Sequence, residues 1–218
     1  MSLFTRFSVV RALFLLGGFG VAAANATPVI SLSAAGDLFT STTGATTVTF
    51  DAGNCAGYAS CGGDMILTSG SASGLYAAPA GDNTGYVSVP NPSVTSQTAT
   101  FNLGATADYF GLYWGSIDSY NSIAFYLNNV LVASFSGTDI VGSSANGNQI
   151  SYASNRFINF DFGSELFDTV SLTSHGFAFE SDNHAFRKHV SVSEPLTLVL
   201  FGLGLAGLLV ARRLQPTK

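Results

Sequence analysis

Tyr109-Phe110-Gly111-Leu112-Tyr113-Trp114 is the stretch that decides the fold. Its side chains alternate, so an extended chain sends Phe110, Leu112 and Trp114 to one face and Tyr109 and Tyr113 to the other. A helix would scatter these rings around its axis. Working outward, Thr98-Ala99-Thr100-Phe101-Asn102-Leu103 keeps the same rhythm after a turn at Pro90-Asn91-Pro92, and Thr46-Thr47-Val48-Thr49-Phe50 alternates until Asp51-Ala52-Gly53. Downstream, Ile123-Ala124-Phe125-Tyr126-Leu127 faces Val130-Leu131-Val132-Ala133 across Asn128-Asn129, a pair suited to the left-handed backbone of a tight hairpin turn. The runs Phe157–Phe162, Thr169–Leu172 and Phe177–Glu180 complete the series.

About eight short strands with turn residues between them predict an all-β fold, a two-sheet sandwich or jelly-roll of the galactose-binding-like type. Gly142–Asn148 reads as a polar loop and Arg187–Ser193 as a short stalk. Composition agrees: 18 Phe and 8 Tyr stand against only 10% charged residues, which favours short aromatic strands over solvated helices. Between Thr27 and Ser193 the basic residues are Arg156, Arg187 and Lys188, set against twelve Asp or Glu. Such an acidic surface repels phosphate backbones, so a nucleic-acid partner is not expected. Cys55 and Cys61 lie within a Gly-rich stretch and are expected to form a local disulfide in an oxidising compartment, a structural staple rather than a redox or metal pair.

The two ends carry addresses. Arg6 and Arg11 precede the apolar run from Ala12 to Ala23, and Ala24-Asn25-Ala26 supplies small residues where a signal peptidase cuts, so residues 1–26 read as a signal peptide. At the other end, Ser193-Glu194-Pro195 leads into 16 uncharged residues, 196–211, followed by the basic end 212–218 with Arg212 and Arg213. As a helix this run measures about 24 Å, slightly short of a comfortable crossing of a bilayer core, and it is expected to form a single transmembrane helix. The arginines favour the cytoplasmic side, which leaves residues 27–190 outside as an ectodomain.

This tail, residues 191–218, resembles the PEP-CTERM sorting signal, with its Pro-Glu-Pro motif, Gly- and Leu-rich membrane helix and basic end. Glu194 and Pro195 match the second and third motif positions, and Ser193 stands where the first proline is usual. Two further stretches are similar to ectodomains of that family. Tyr109–Asn121 resembles a Y-F-G-x-Y-W-G-S-x-D-x-Y-N run, and Phe179-Glu180-Ser181-Asp182-Asn183 resembles an F-E-x-D-N ending. The resemblance implies a partner exosortase, a membrane-embedded cysteine transpeptidase of Gram-negative bacteria that make exopolysaccharide. It further implies an inner-membrane intermediate, then release to the cell surface or extracellular matrix. The family lends no assigned chemistry.

The residues themselves point to no catalytic set and to no enzyme. Ser116 and Ser119 lack a G-x-S-x-G setting, and His175, His184 and His189 read as surface histidines. Glu180 with Asp182, and Asp161 with Asp168, are the carboxylate pairs a glycan hydrolase would need within one cleft. Asp182 and Asn183 could give oxygen ligands to Ca²⁺ or simply close a turn; no other cofactor is expected. Tyr109, Tyr113, Tyr120 and Tyr126 could present flat rings to sugars, or be covered by loops. A noncatalytic surface or matrix protein associated with exopolysaccharide is therefore the leading expectation, a carbohydrate-binding module the alternative, and a secreted hydrolase the third. Protein extracted from the cell surface should show an intact mass that ends near Glu194-Pro195 and lacks Leu196–Lys218. A mass that retains the tail would contradict the sorting signal.

Overall fold

The structure, a computed structural model, describes residues 27–92 and 97–190, together with residues 200, 201, 203 and 204. Eleven strands follow in chain order: β1 (Val29–Leu32), β2 (Thr46–Val48), β3 (Ser60–Gly63), β4 (Ile66–Thr68), β5 (Tyr86–Val89), β6 (Thr98–Gly115), β7 (Asn121–Leu127), β8 (Val130–Ser136), β9 (Arg156–Asp161), β10 (Phe167–Ser174) and β11 (Phe179–Lys188). A five-residue helix, α1 (Gly137–Val141), follows β8, and a 3₁₀ turn, Gly142–Ser144, fills the start of the stretch Gly142–Asn148 read as a loop. The signal peptide with Ala24 and Ala26, the motif Ser193-Glu194-Pro195 and the basic pair Arg212-Arg213 lie outside the described residues, as does most of 196–211. Among the described residues no helix is long and apolar enough to cross a membrane.

The chain is all-β and every ladder between its strands is antiparallel. In place of two separate sheets, hydrogen bonding runs without a break through one eleven-stranded sheet, because β6 is eighteen residues long and serves both halves. Its first half, Thr98–Asn102, lies between β3 and β10. Its second half, Tyr109–Gly115, lies between β9 and β11. Between them the pairing with β10 jumps from Asn102↔Thr169 to Ala107↔Phe167, an irregularity that bends the strand. Gly104 sits in this bend with φ +71°, and a Cβ there would come within 2.9 Å of Ala59. Only glycine accepts both demands.

Bending folds the sheet onto itself in a sandwich-like arrangement. Phe125 of β7 meets Phe110 of β6 at 5.8 Å and Phe160 of β9 at 5.1 Å, although β7 pairs with neither strand. Phe162 and Phe167 close the same cluster, and Trp114 stacks on Phe179 at 4.1 Å. Each fully buried ring stabilises the fold by roughly 2–3 kcal/mol. The alternation read from sequence holds here, since Phe110, Leu112 and Trp114 all face this core.

Several local readings hold and two change. Asn128 and Asn129 do turn the β7–β8 hairpin with φ of 50° and 65°. The Cys55–Cys61 disulfide is present, beside the β3–β6 ladder. A loop that short adds about 2 kcal/mol through the unfolded state. The expected stalk does not begin at Arg187: β11 continues to Lys188, and the Arg187 Nε donates to Asp108 Oδ1 at 2.7 Å. Nor do Asp182 and Asn183 end a strand. They form a bulge in the middle of β11, with Asn183 at φ 52°, where the pairing with β6 slips between Asp182 and Ala185.

Candidate functional site

The ladder between β6 and β11 places Gly115 opposite Glu180, so the next residue, Ser116, turns away beside the Glu180 carboxyl. Ser116 Oγ donates to Glu180 Oε2 at 2.5 Å, and the Ala77 amide donates to Oε1 at 2.8 Å. Glu180 is buried, and burial pushes its carboxyl up to about 7; the two donors oppose that rise, while the negative charge of Asp118 adds to it. Asn155 steadies the turn from beneath. Its Oδ1 accepts from the amides of Ser116 and Ala80, while its Nδ2 donates to the carbonyls of Asn148 and Ser151.

Above Glu180 lies a cleft of about 610 Å³. Leu75, Tyr76, Tyr120 and Phe177 form its apolar surfaces, with Asp118, Asn146 and Gln149 among its polar groups. Tyr120 is fixed at both ends. Its hydroxyl donates to the Phe177 carbonyl at 2.9 Å, and its ring packs so closely on Gly176 that a Cβ there would fall 2.9 Å away. Burial raises the Asp118 carboxyl above its ordinary range. Phe177 projects into solvent and is half exposed. Rings beside amide and carboxyl groups can stack on the apolar face of a sugar and bind its hydroxyls.

The proposed tyrosine platform does not exist as one surface. Tyr109 and Tyr113 are buried in a second, smaller core with Phe157 and Ala185, against which Leu38 and Ala45 pack. Tyr109 is hydrogen-bonded to Thr40 and Asn159, and the Tyr113 hydroxyl donates to the Ala80 carbonyl at 2.6 Å. Segments far away in sequence therefore cover the face that alternation left open. Tyr126 sits half-buried on β7, in the other half of the sheet, and of the four only Tyr120 reaches the cleft.

The histidines and the remaining carboxylates lie apart. His184 is not on the surface but fully buried among Phe50, Phe101 and Phe110. Its Nδ1 meets Tyr58 Oη at 2.8 Å and its Nε2 meets Ser181 Oγ at 2.9 Å. His175 lies against Gln97, and His189 lies 3.6 Å from Asp108. None of them partners Ser116 or Ser119. Asp168 caps the hairpin by accepting from the Asn128 amide, and Asp161 accepts from the Gly163 amide, so each serves a turn. Asp182, two residues after Glu180, is drawn instead to Asp82 and Thr84 on the loop that follows Ala77. Burial, reinforced by Asp82, raises Asp182 to about 8.

Asp82, Thr84 and Tyr76 escaped the sequence reading, because nothing local links them to β11; Phe177 was read as the start of that strand, whereas β11 begins at Phe179 and leaves the ring at the rim of the cleft. Compared with known proteins, the chain matches no family model and no curated sequence.

Burial pushes His184 from its ordinary 6.5 down to about 3. Between those values the unfolded chain binds the extra proton, so stability falls as pH drops through 6.5. Glu180 and Asp182 shift the opposite way, and comparison with His184→Gln isolates the histidine. Denaturant melts should show the wild type losing on the order of 2 kcal/mol more than the variant between pH 7 and pH 5. Parallel pH profiles would contradict a neutral, sealed His184.

Proposed function

We propose that this chain is an exported, noncatalytic surface or matrix protein whose β domain binds a glycan in the cleft between Tyr120 and Phe177. The signal-peptide pattern and the resemblance of the tail to an exosortase sorting signal support export through signal peptidase, a transient stay in the inner membrane, and an exopolysaccharide setting. A jelly-roll of the galactose-binding-like type is the finer fold reading, and the sandwich-like folding of the sheet favours it. The observation that carries glycan binding is the half-exposed Phe177 ring, set with Tyr76 and Tyr120 around Asp118, Asn146 and Gln149. Binding is favoured over hydrolysis because the exposed parts of the cleft are rings and amides, while Glu180 is buried and tied to Ser116 and the Ala77 amide as part of the cover over β6 and β11.

A panel of neutral and acidic oligosaccharides, together with fragments of bacterial exopolysaccharide, titrated by calorimetry, tests this reading. Tyr120→Ala and Phe177→Ala should each weaken the glycan that binds by about tenfold or more, the loss of one stacking surface. Phe177→Ala should leave the melting temperature unchanged, since its ring is already half in water. Absence of any glycan ligand, or equal binding by both variants, would overturn the proposal. Turnover of a bound glycan would replace it with a hydrolase.

A further inference from the structure

We propose that Asp82, Thr84 and Asp182 form a Ca²⁺ site that ties the loop after Ala77 to the middle of β11. Asp82 is 5% exposed and Asp182 fully buried. Thr84 Oγ1 lies 2.6 Å from Asp82 Oδ1 and 3.1 Å from Asp182 Oδ2. One hydroxyl carries one proton, so it can donate to only one of the two carboxylates at a time. The Thr84 amide adds a second bond to Asp82 Oδ1 at 3.0 Å. The remaining oxygens, Asp82 Oδ2 and Asp182 Oδ1, are shut off from solvent and lack a hydrogen-bond partner, and the two carboxyls lie close enough to share a proton. Leaving one buried acceptor unsatisfied is costly, and leaving two on neighbouring carboxylates is more so.

Among the described residues no side-chain cation answers them. The ion pairs among the described residues involve Arg187 and His189 with Asp108 and Asp161, and Arg156 donates to the Ser33 carbonyl. A metal ion supplies what the side chains do not. Two carboxylates and a hydroxyl, with no thiol or imidazole among them, suit a hard cation. Ca²⁺ accepts irregular oxygen sets completed by water, whereas Mg²⁺ demands a near-ideal octahedron. Thr84 is exposed and, with Asn83 and Asp51, borders an open depression on the surface, which gives water and the ion a route in.

The consequence for the fold is specific. The same loop sends the Ala77 amide to Glu180, the Ala80 carbonyl to Tyr113, and Pro79 over Gly115, where a Cβ would come within 2.8 Å. A cation at its far end holds this cover down over β6 and β11. The inference stands apart from glycan binding and would survive the loss of that reading.

Calorimetric titration of the chelator-treated exported protein with CaCl₂, paired with thermal melts, tests it without any glycan. One Ca²⁺ per chain should bind, with Kd on the order of 10⁻⁴–10⁻³ M as in extracellular modules. At a hundredfold excess over Kd the melting temperature should rise by roughly 5–10 °C, and MgCl₂ should give a smaller rise. Asp82→Asn lies on the loop and should stay folded yet lose this rise; Asp182→Asn provides the second reading from the strand. No Ca²⁺-dependent rise in the wild type would show that the pair shares a proton instead and would overturn the site. So would a rise that persists in both variants.

Discussion

The antiparallel ladder between β6 and β11 is the constraint on which the rest of the molecule depends. β6 belongs to both halves of the sheet, so its bend at Gly104 decides how the halves face each other. β11 then fills the centre of the second half, with β5 and β2 beside successive parts of its length. The aromatic core follows from this geometry: Phe110 on β6, Phe125 on β7 and Phe160 on β9 converge only because one strand carries the chain from one layer to the other. Hydrophobic burial supplies the driving force, but the bend determines which rings meet.

The same ladder creates a polar problem at the centre of the fold. Glu180, Ser181, Asp182, Asn183 and His184 are consecutive on β11 and all are buried. A buried polar group is tolerated where a partner reaches it. Partners arrive from segments far off in sequence: Tyr58 for His184, Ser116 and the Ala77 amide for Glu180, Thr84 for Asp182. The covering loops are held in place by the groups they satisfy. This is why the cleft and the Asp82–Asp182 pair both border β11, and why architecture and candidate chemistry cannot be separated here.

Much of the framework was legible in the sequence because it is written locally. Alternation assigned Phe110, Leu112 and Trp114 to the core, two asparagines marked a hairpin, and two nearby cysteines marked a disulfide. The short strands β1, β3, β4 and β5 were missed. They are three or four residues long, with too little alternation to stand out against Gly- and Ser-rich surroundings. The site was harder to read for a different reason. Alternation divides a strand into two faces without saying what covers each, so Tyr109 and Tyr113 could be read as exposed when Leu38, Thr40 and Ala45 shield them. Likewise His184, set among polar neighbours, gave no sign of the three phenylalanine rings around it. Contacts between Asp82 and Asp182, a hundred residues apart, leave no local periodicity.

Native-state hydrogen exchange on β6 tests most directly the claim that this one strand joins both layers into a single cooperative unit. The amides of Thr98–Asn102 and of Tyr109–Gly115 should exchange through the same global opening, with equal free energies that match those of the β11 amides paired to them. If either half opened at a clearly lower free energy than the other, the two layers would be independent, and β6 would be a mere linker between them.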